Sequence, residues 1–286
     1  MKQFVNVRKV DNFYQTSSYF PMPVVLVSTL SETGQVNLGP YSLCFPHVVA
    51  GKHAMMLIAR NNSNTAMNIK RTGVAAINFI PFNKKFLKNC VALGFPGETT
   101  AEKMKNSKFT IVPSQRGDGF PGLVAEAFQV FECTWDKTCD AYEDADTLEI
   151  HFVLRVEKIL MKQKWHDALI EGKGIFPSMP IDYGFRNNTN FWVCSHGKPY
   201  AEKIPKGKDQ DVNTVIYQAK RTDPDITWEK EACAKLVKVP RIFLPKVLKT
   251  CVESAKAQGV TTITPAFLDM VRDKRSAEKG DLAGMS

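Results

Sequence analysis

Short apolar runs, each broken by glycine, proline or a polar cluster, shape the first half of the chain. The run Pro23–Leu30 is β-branched and too short for a helix, which predicts a buried strand. Ser31–Gly34 then turns the chain into a second extended stretch, Val36–Leu43. A third strand is predicted over Ala54–Ala59. It runs into the polar turn Arg60-Asn-Asn-Ser-Asn-Thr65, where Ser63 or Asn64 can cap a short helix that Gly73 can end. Val74–Ile80 reads as the next strand.

Beyond Pro81 the period changes. Phe86, Leu87, Cys90 and Val91 share one helical face, a second short helix is expected through Glu98–Met104, and 113–122, rich in Gly and Pro, is a loop. Leu123–Trp135 reads as one bent strand or two. From Leu148 to Glu157 the alternation is strict. Leu148, Ile150, Phe152, Leu154 and Val156 form one face, with Glu149, His151, Val153, Arg155 and Glu157 on the other. Such alternation favours an antiparallel sheet or barrel over a parallel one. No Gly-x-Gly-x-x-Gly follows a strand, so a dinucleotide-binding Rossmann unit is unsupported.

The carboxy-terminal part reads differently. Thr227 can cap a helix from Trp228 to about Val239, which Pro240 ends, and a second helix through Val247, Leu248, Cys251, Val252 and Ala255 stops at Gly259. Thr264 and Pro265 supply a cap and a first-turn proline for a third, with Phe267, Met270 and Val271 on its apolar face. The expected division is therefore a barrel over 1–165, an extension over 166–224 packed on the barrel or on a dimer interface, a small three-helix domain over 225–276 and a flexible tail over 277–286.

The order of elements between Tyr19 and Val156 resembles the flavin reductase-like FMN-binding split-barrel family. In that family a strand carrying an Asn and a Tyr-Ser or similar pair precedes an Arg/Ser/Thr-rich turn into a helix. The resemblance implies a mainly β fold: an antiparallel split β-barrel of Greek-key type with peripheral helices, followed here by a small all-α domain. It also implies FMN as cofactor, NADH or NADPH as electron donor, and a homodimer. On the residues themselves, the turn suits a phosphate. Arg60 supplies a forked cation, Asn64, Thr65 and Asn68 supply polar side chains, and a helix start supplies free amides. A cap with a solvated Arg60 explains the same residues without a ligand. The resemblance places Asn37, Tyr41 and Ser42 beside the flavin ring. Asn78, an amide inside an apolar strand, needs partners that either the flavin or a turn can provide. His151 lies near a position where many members carry a histidine, although Glu149-Ile150 replaces their usual Gly-Asp; a solvated histidine on the polar strand face is the other reading. The carboxy-terminal unit resembles the carboxy-terminal domain of the light-independent protochlorophyllide reductases through Trp228-Glu-Lys-Glu-Ala232, Lys238-Val-Pro-Arg241, Val252-Glu-Ser-Ala255 and Ile263-Thr264. There it is an accessory module outside the catalytic core.

Composition adds bounds. In 286 residues, 44% hydrophobic and 23% charged is ordinary globular usage, and no apolar stretch is long enough to span a bilayer. The amino terminus lacks a signal-peptide core, which leads us to expect a cytoplasmic protein. Seven scattered cysteines without a Cys-x-x-Cys pair argue against a disulfide framework or a zinc site, and Cys194 with His196 lacks a second ligand pair. The net charge of +9 is spread along the chain, so it suits anionic cofactors and acidic partners as well as nucleic acid. The resemblance implies an NAD(P)H-dependent flavin reductase that passes electrons to free flavin or a partner protein. An FMN-binding electron carrier or redox sensor is the first alternative and a basic nucleic-acid-binding protein the more distant one. The apolar pieces Tyr183-Gly-Phe185 and Phe191-Trp-Val193 have no obvious partner in their proline-broken segment, which fits burial in a homodimer.

Overall fold

The computed structural model describes residues 4–95, 97–139, 142–146, 148–187, 189–202 and 211–283. The chain divides into two compact units, Met1–Ala201 and Glu202–Ser286. Among the described residues no helix is long and apolar enough to cross a membrane.

The first unit is built on an eight-stranded antiparallel sheet. After helix α1 (Phe13–Thr16) and the short β1 (Met22–Pro23) come β2 (Val25–Leu30), β3 (Val36–Tyr41), β4 (Cys44–Val48) and β5 (Ala54–Arg60). Helix α2 (Asn64–Thr72) leads to β6 (Val74–Phe79). Helices α3 (Lys84–Leu93) and α4 (Thr100–Lys105) precede the hairpin of β7 (Ile111–Val112) and β8 (Leu123–Val124), and β9 (Gln129–Trp135), β10 (Glu143–Asp144) and the long β11 (Glu149–Met161) follow. Leu123–Trp135 is thus two strands, parted by a turn in which the Ala127 amide donates to the Val124 carbonyl.

The sheet order is β3-β2-β6-β9-β11-β5-β4, with β10 beside β11. Strands β3 and β4 stand at opposite ends of that order, yet only Ser42 and Leu43 separate them in sequence. The sheet must therefore curl until its two ends meet without pairing, which makes a split barrel.

Core packing follows from the strand alternation. Val25, Val27, Leu57, Ile77, Ile150, Phe152 and Leu154 belong to one buried cluster, which α2 completes with Ala66 and Ile69. Leu26, Ala76 and Val130, from the opposite faces of their strands, join Cys90 and Leu93 of α3 in a second cluster. Strand β2 is thus covered on both faces, which explains its unbroken apolar run. Full burial of a side chain such as Phe152 contributes on the order of 1.5–3 kcal/mol. Of the face predicted to be apolar in 148–157, Ile150, Phe152 and Leu154 are buried. Leu148, however, is exposed outside the strand, and Val153 is buried on the face expected to be polar.

Helix α5 (Gln163–Ile170) follows the sheet. The segment after it forms the hairpin β12 (Pro180–Asn187) and β13 (Asn190–Ser195), and β12 also pairs with β1. The His196 ring bonds to the carbonyls of Pro177 at 2.9 Å and Gly197 at 2.8 Å. Among the described residues, no group of three or more His, Cys, Asp or Glu side chains is placed to hold a metal ion.

The second unit is helical. Helix α6 (Val212–Thr222), capped by Asp211, packs with α7 (Lys230–Leu236) and α8 (Leu244–Ala257), and α9 (Pro265–Ala283) closes the chain. Its core includes Val215, Ala232, Leu248, Val252 and Phe267. Several expectations change here. Trp228 does not open a helix: Thr227–Trp228 forms β14, paired in parallel with β15 (Thr262–Ile263), and α7 starts only at Lys230 with Glu229 as its cap. That helix ends at Leu236, before Pro240 could stop it. On α9 the buried positions are Phe267, Leu268 and Val271, while Met270 is largely exposed. Helix α6 falls within the stretch read as an extension, and α9 continues through Ala283. The charged stretch 203–210 and residues 284–286 lie outside the described residues.

Candidate functional site

A cleft of about 710 Å³ opens in the first unit, where the β3–β4 link, the turn from β5 into α2, the α3–α4 segment and the β12–β13 hairpin come together. Its volume lies within the usual range of roughly 300–1,000 Å³ for cofactor pockets.

The turn after β5 is held from both sides. The Asn61 amide donates to the Leu148 carbonyl at 2.8 Å and the Ser63 amide to the Arg60 carbonyl at 3.0 Å. Ser63 caps α2, its hydroxyl accepting from the Ala66 amide at 3.1 Å while sharing a 3.3 Å hydrogen bond with the Tyr41 hydroxyl. At the far end of the helix Gly73 takes φ 73°, the left-handed conformation glycine adopts freely. The cap leaves the first amides of α2, at Asn64 and Thr65, without intrahelical partners and at the positive end of the helix dipole. Gly39 allows the close approach that this arrangement needs. A Cβ there would lie 2.6 Å from the Thr65 hydroxyl and 2.8 Å from the Tyr41 ring.

Two cations face the same cleft. Arg60, at the end of β5, is exposed, and among the described residues no carboxylate pairs with it. Lys103 on α4 is buried, and burial holds its ammonium down at about 8, with Glu98 acting weakly in the other direction. The Asn64 side chain donates to the Glu98 carbonyl at 2.9 Å, so the segment entering α4 adjoins the start of α2.

The other wall comes from remote sequence. Tyr14 and Gln15 of α1 and Phe191 and Val193 of β13 line it, as does Asp182 of β12. The Gln15 amide donates to Asp182 at 3.0 Å, and Asp182 also accepts from the Gly184 amide. Gly184 takes φ 74°, a conformation glycine adopts freely, and a Cβ there would crowd the Gln15 side chain. Burial, then the charges of Asp182 and Glu149, push the Tyr14 hydroxyl up to about 12, so it stays protonated.

Of the side chains singled out from the sequence, Tyr41, Ser42, Arg60, Asn64 and Thr65 line this cleft. Asn37, Asn68 and Asn78 lie outside its lining and are committed within the fold. Asn37 donates to Thr29 and Thr65, both at 3.3 Å, leaving its own oxygen buried without a partner. Asn68 donates to Thr29 at 3.0 Å and accepts from Arg71 at 3.2 Å. Asn78 joins three elements, donating to the Leu26 carbonyl and the Ser28 hydroxyl, each at 3.0 Å, and accepting from the Val124 amide at 2.8 Å. His151 is also absent from the lining. Its ring bonds to Glu149 and packs 4.9 Å from the Tyr142 ring. Sequence reading missed Lys103, Tyr14, Gln15 and Asp182. The capping box of Thr99 and Glu102 fixes α4 locally, but nothing local says that Lys103 faces inward.

Fold and site together define a split barrel with an anion-suited cleft. Its fold is similar to that of Pseudomonas fluorescens 2-nitrobenzoate 2-nitroreductase NbaA, at 15% identity and TM-score 0.55 over 73% of this chain and 99% of that one. Nitrilotriacetate monooxygenase component B from Bacillus cereus aligns at 14% identity and TM-score 0.54, over 71% and 100% of the two chains. Flavoredoxin from Methanosarcina acetivorans aligns at 17% and 0.51, over 73% and 98%. No family model and no curated protein sequence matches the chain.

Proposed function

We propose that this protein is an FMN-binding oxidoreductase, a flavin reductase that takes electrons from NADH or NADPH and delivers them to free flavin or to a partner protein. The observation that carries the reading is the α2 end of the cleft. Arg60, which no carboxylate pairs among the described residues, lines that end together with Asn64 and Thr65 of the first turn of α2, in a volume suited to a cofactor. The names of the fold neighbours, a nitroreductase, a monooxygenase component and a flavoredoxin, are those of redox proteins and agree with it.

The residues present fit FMN. Arg60 and the α2 amides would hold the phosphate, while Tyr41 at the end of β3 and Ser42 on the β3–β4 link would border the ring system. The cleft also carries the carboxylates Glu98, Glu149 and Asp182; Asp182 is engaged by Gln15 and Gly184, and Glu149 by His151. When bound, FMN supplies the hydride and electron chemistry, and the chain's part is orientation, charge and exclusion of water. Tyr14 keeps its proton and serves as a neutral hydrogen-bonding wall. Anaerobic titration of the FMN-loaded protein with NADH and with NADPH tests the proposal. Loss of the flavin's visible absorbance, regained on adding free flavin or air, is the expected result; a bound flavin that neither donor bleaches would rule the reductase out.

A further inference from the structure

Lys103 differs from the other lysines of the first unit. Lys70 and Lys173 project outward and pair with Glu143 and Glu171, whereas Lys103 is only 8% exposed and lines the cleft. Among the described residues, no acceptor or carboxylate lies within hydrogen-bond or ion-pair distance of its ammonium. A buried ammonium left without a partner is unfavourable for the fold, and an anion in the cleft would relieve that cost. Anionic occupancy also agrees with Arg60 and with the nine-residue α2, whose first turn opens on the same space.

We propose that Lys103 is a phosphate-binding residue of this cleft, its ammonium pairing with the phosphate monoester of bound flavin mononucleotide alongside Arg60 and the α2 amides. The assignment rests on the flavin reading above and names the residue that makes the site prefer FMN to unphosphorylated riboflavin. It also makes FMN affinity depend on pH. A phosphate dianion favours the ammonium over the amine, so above about pH 8 binding must take up a proton. Affinity for FMN then falls as pH rises through that value, and affinity for riboflavin does not.

The groups around Lys103 are known. Helix α4 packs on β3, which contributes Tyr41, Asn89 of α3 bonds to the Asn106 carbonyl at 2.9 Å, and Cys90 of α3 lines the same cleft. Glu98, Glu102 and Lys105 flank it on its own segment, and Arg60, Glu149, Asp182 and Tyr14 complete the charged and titratable lining. Burial pushes the Tyr41 hydroxyl upward and the Cys90 thiol to about 12, away from the pH window at issue. Effects of the remaining groups on the ring are common to FMN and riboflavin and cancel in their ratio.

The test titrates the purified full chain, as wild type, Lys103→Met and Lys103→Arg, with FMN and with riboflavin at pH 7 and 9.5. At pH 7, Lys103→Met should weaken FMN binding roughly ten- to a hundredfold, as for loss of a hydrogen bond to a charged group, and leave riboflavin binding within about twofold. Wild-type FMN affinity should fall about tenfold between the two pH values, while Lys103→Arg, permanently charged, should hold its affinity nearly constant. Lys103→Met removes a desolvated charge, so urea unfolding should show it at least as stable as the wild type. Unaltered FMN binding in Lys103→Met, or equal losses for FMN and riboflavin, would overturn the Lys103 assignment and leave the flavin site standing. A wild-type protein that binds neither flavin would overturn both.

Discussion

The start of α2 and the amide cluster between β2 and β6 are both polar, and both lie in the first unit, but they hold their donors differently. At the cleft, Arg60 and the first amides of α2, at Asn64 and Thr65, have no partners among the described residues and line open volume. In the cluster, Asn78 is fully buried, and its side-chain amide is bonded to Leu26 and Ser28 of β2 and to the Val124 amide of β8. Buried polar groups must be satisfied, so the cluster reads as architecture; groups that remain unsatisfied at a cavity read as a place for a ligand. The contrast predicts that mutations in the two regions affect different observables.

The largest effect is expected in the cluster. Asn78→Ala strands the Val124 amide and the Leu26 carbonyl in the core, and urea unfolding should show a loss of roughly 2–4 kcal/mol. A loss below about 0.5 kcal/mol would mean that the cluster is not structural and that the contrast fails. Ser63→Ala touches both regions, since it removes the α2 cap and the Tyr41 partner. About 1 kcal/mol of stability should go with the cap, and FMN binding should weaken modestly as the first turn loosens. The smallest effect belongs to His151, which lies off the cleft lining. His151→Asn should change the NAD(P)H oxidation rate by only a few-fold, well short of the roughly hundredfold expected for an acid–base group. A hundredfold loss with FMN still bound would make His151 catalytic.

Much of the barrel was legible because its signals are local. Short apolar runs, a Ser63 cap and a Gly73 stop mark β5, α2 and β6 wherever they pack, and Thr264-Pro265 marks the start of α9, where the Thr264 hydroxyl accepts from the Phe267 amide at 3.2 Å. The misreadings are non-local. Trp228 is strand because Ile263, far along the chain, pairs with it. Asn37, Asn68 and Asn78 carry the residue type of a ligand contact, and only the three-dimensional neighbours reveal that their amides are already engaged. The half of the cleft wall formed by α1, β12 and β13 could not be read from the barrel's own pattern. It depends on Gln15 meeting Asp182 and Gly184 across the length of the first unit.

The central claim is that the cleft holds a flavin phosphate at the start of α2, and calorimetric titration of FMN into the wild type, Arg60→Ala and Thr65→Ala tests it most directly. Arg60→Ala should lose about 1.5–3 kcal/mol of binding free energy, Thr65→Ala should also bind more weakly, and the urea midpoint of Arg60→Ala should stay at the wild-type value. Wild-type affinity for FMN in both variants would contradict the account and move the phosphate elsewhere.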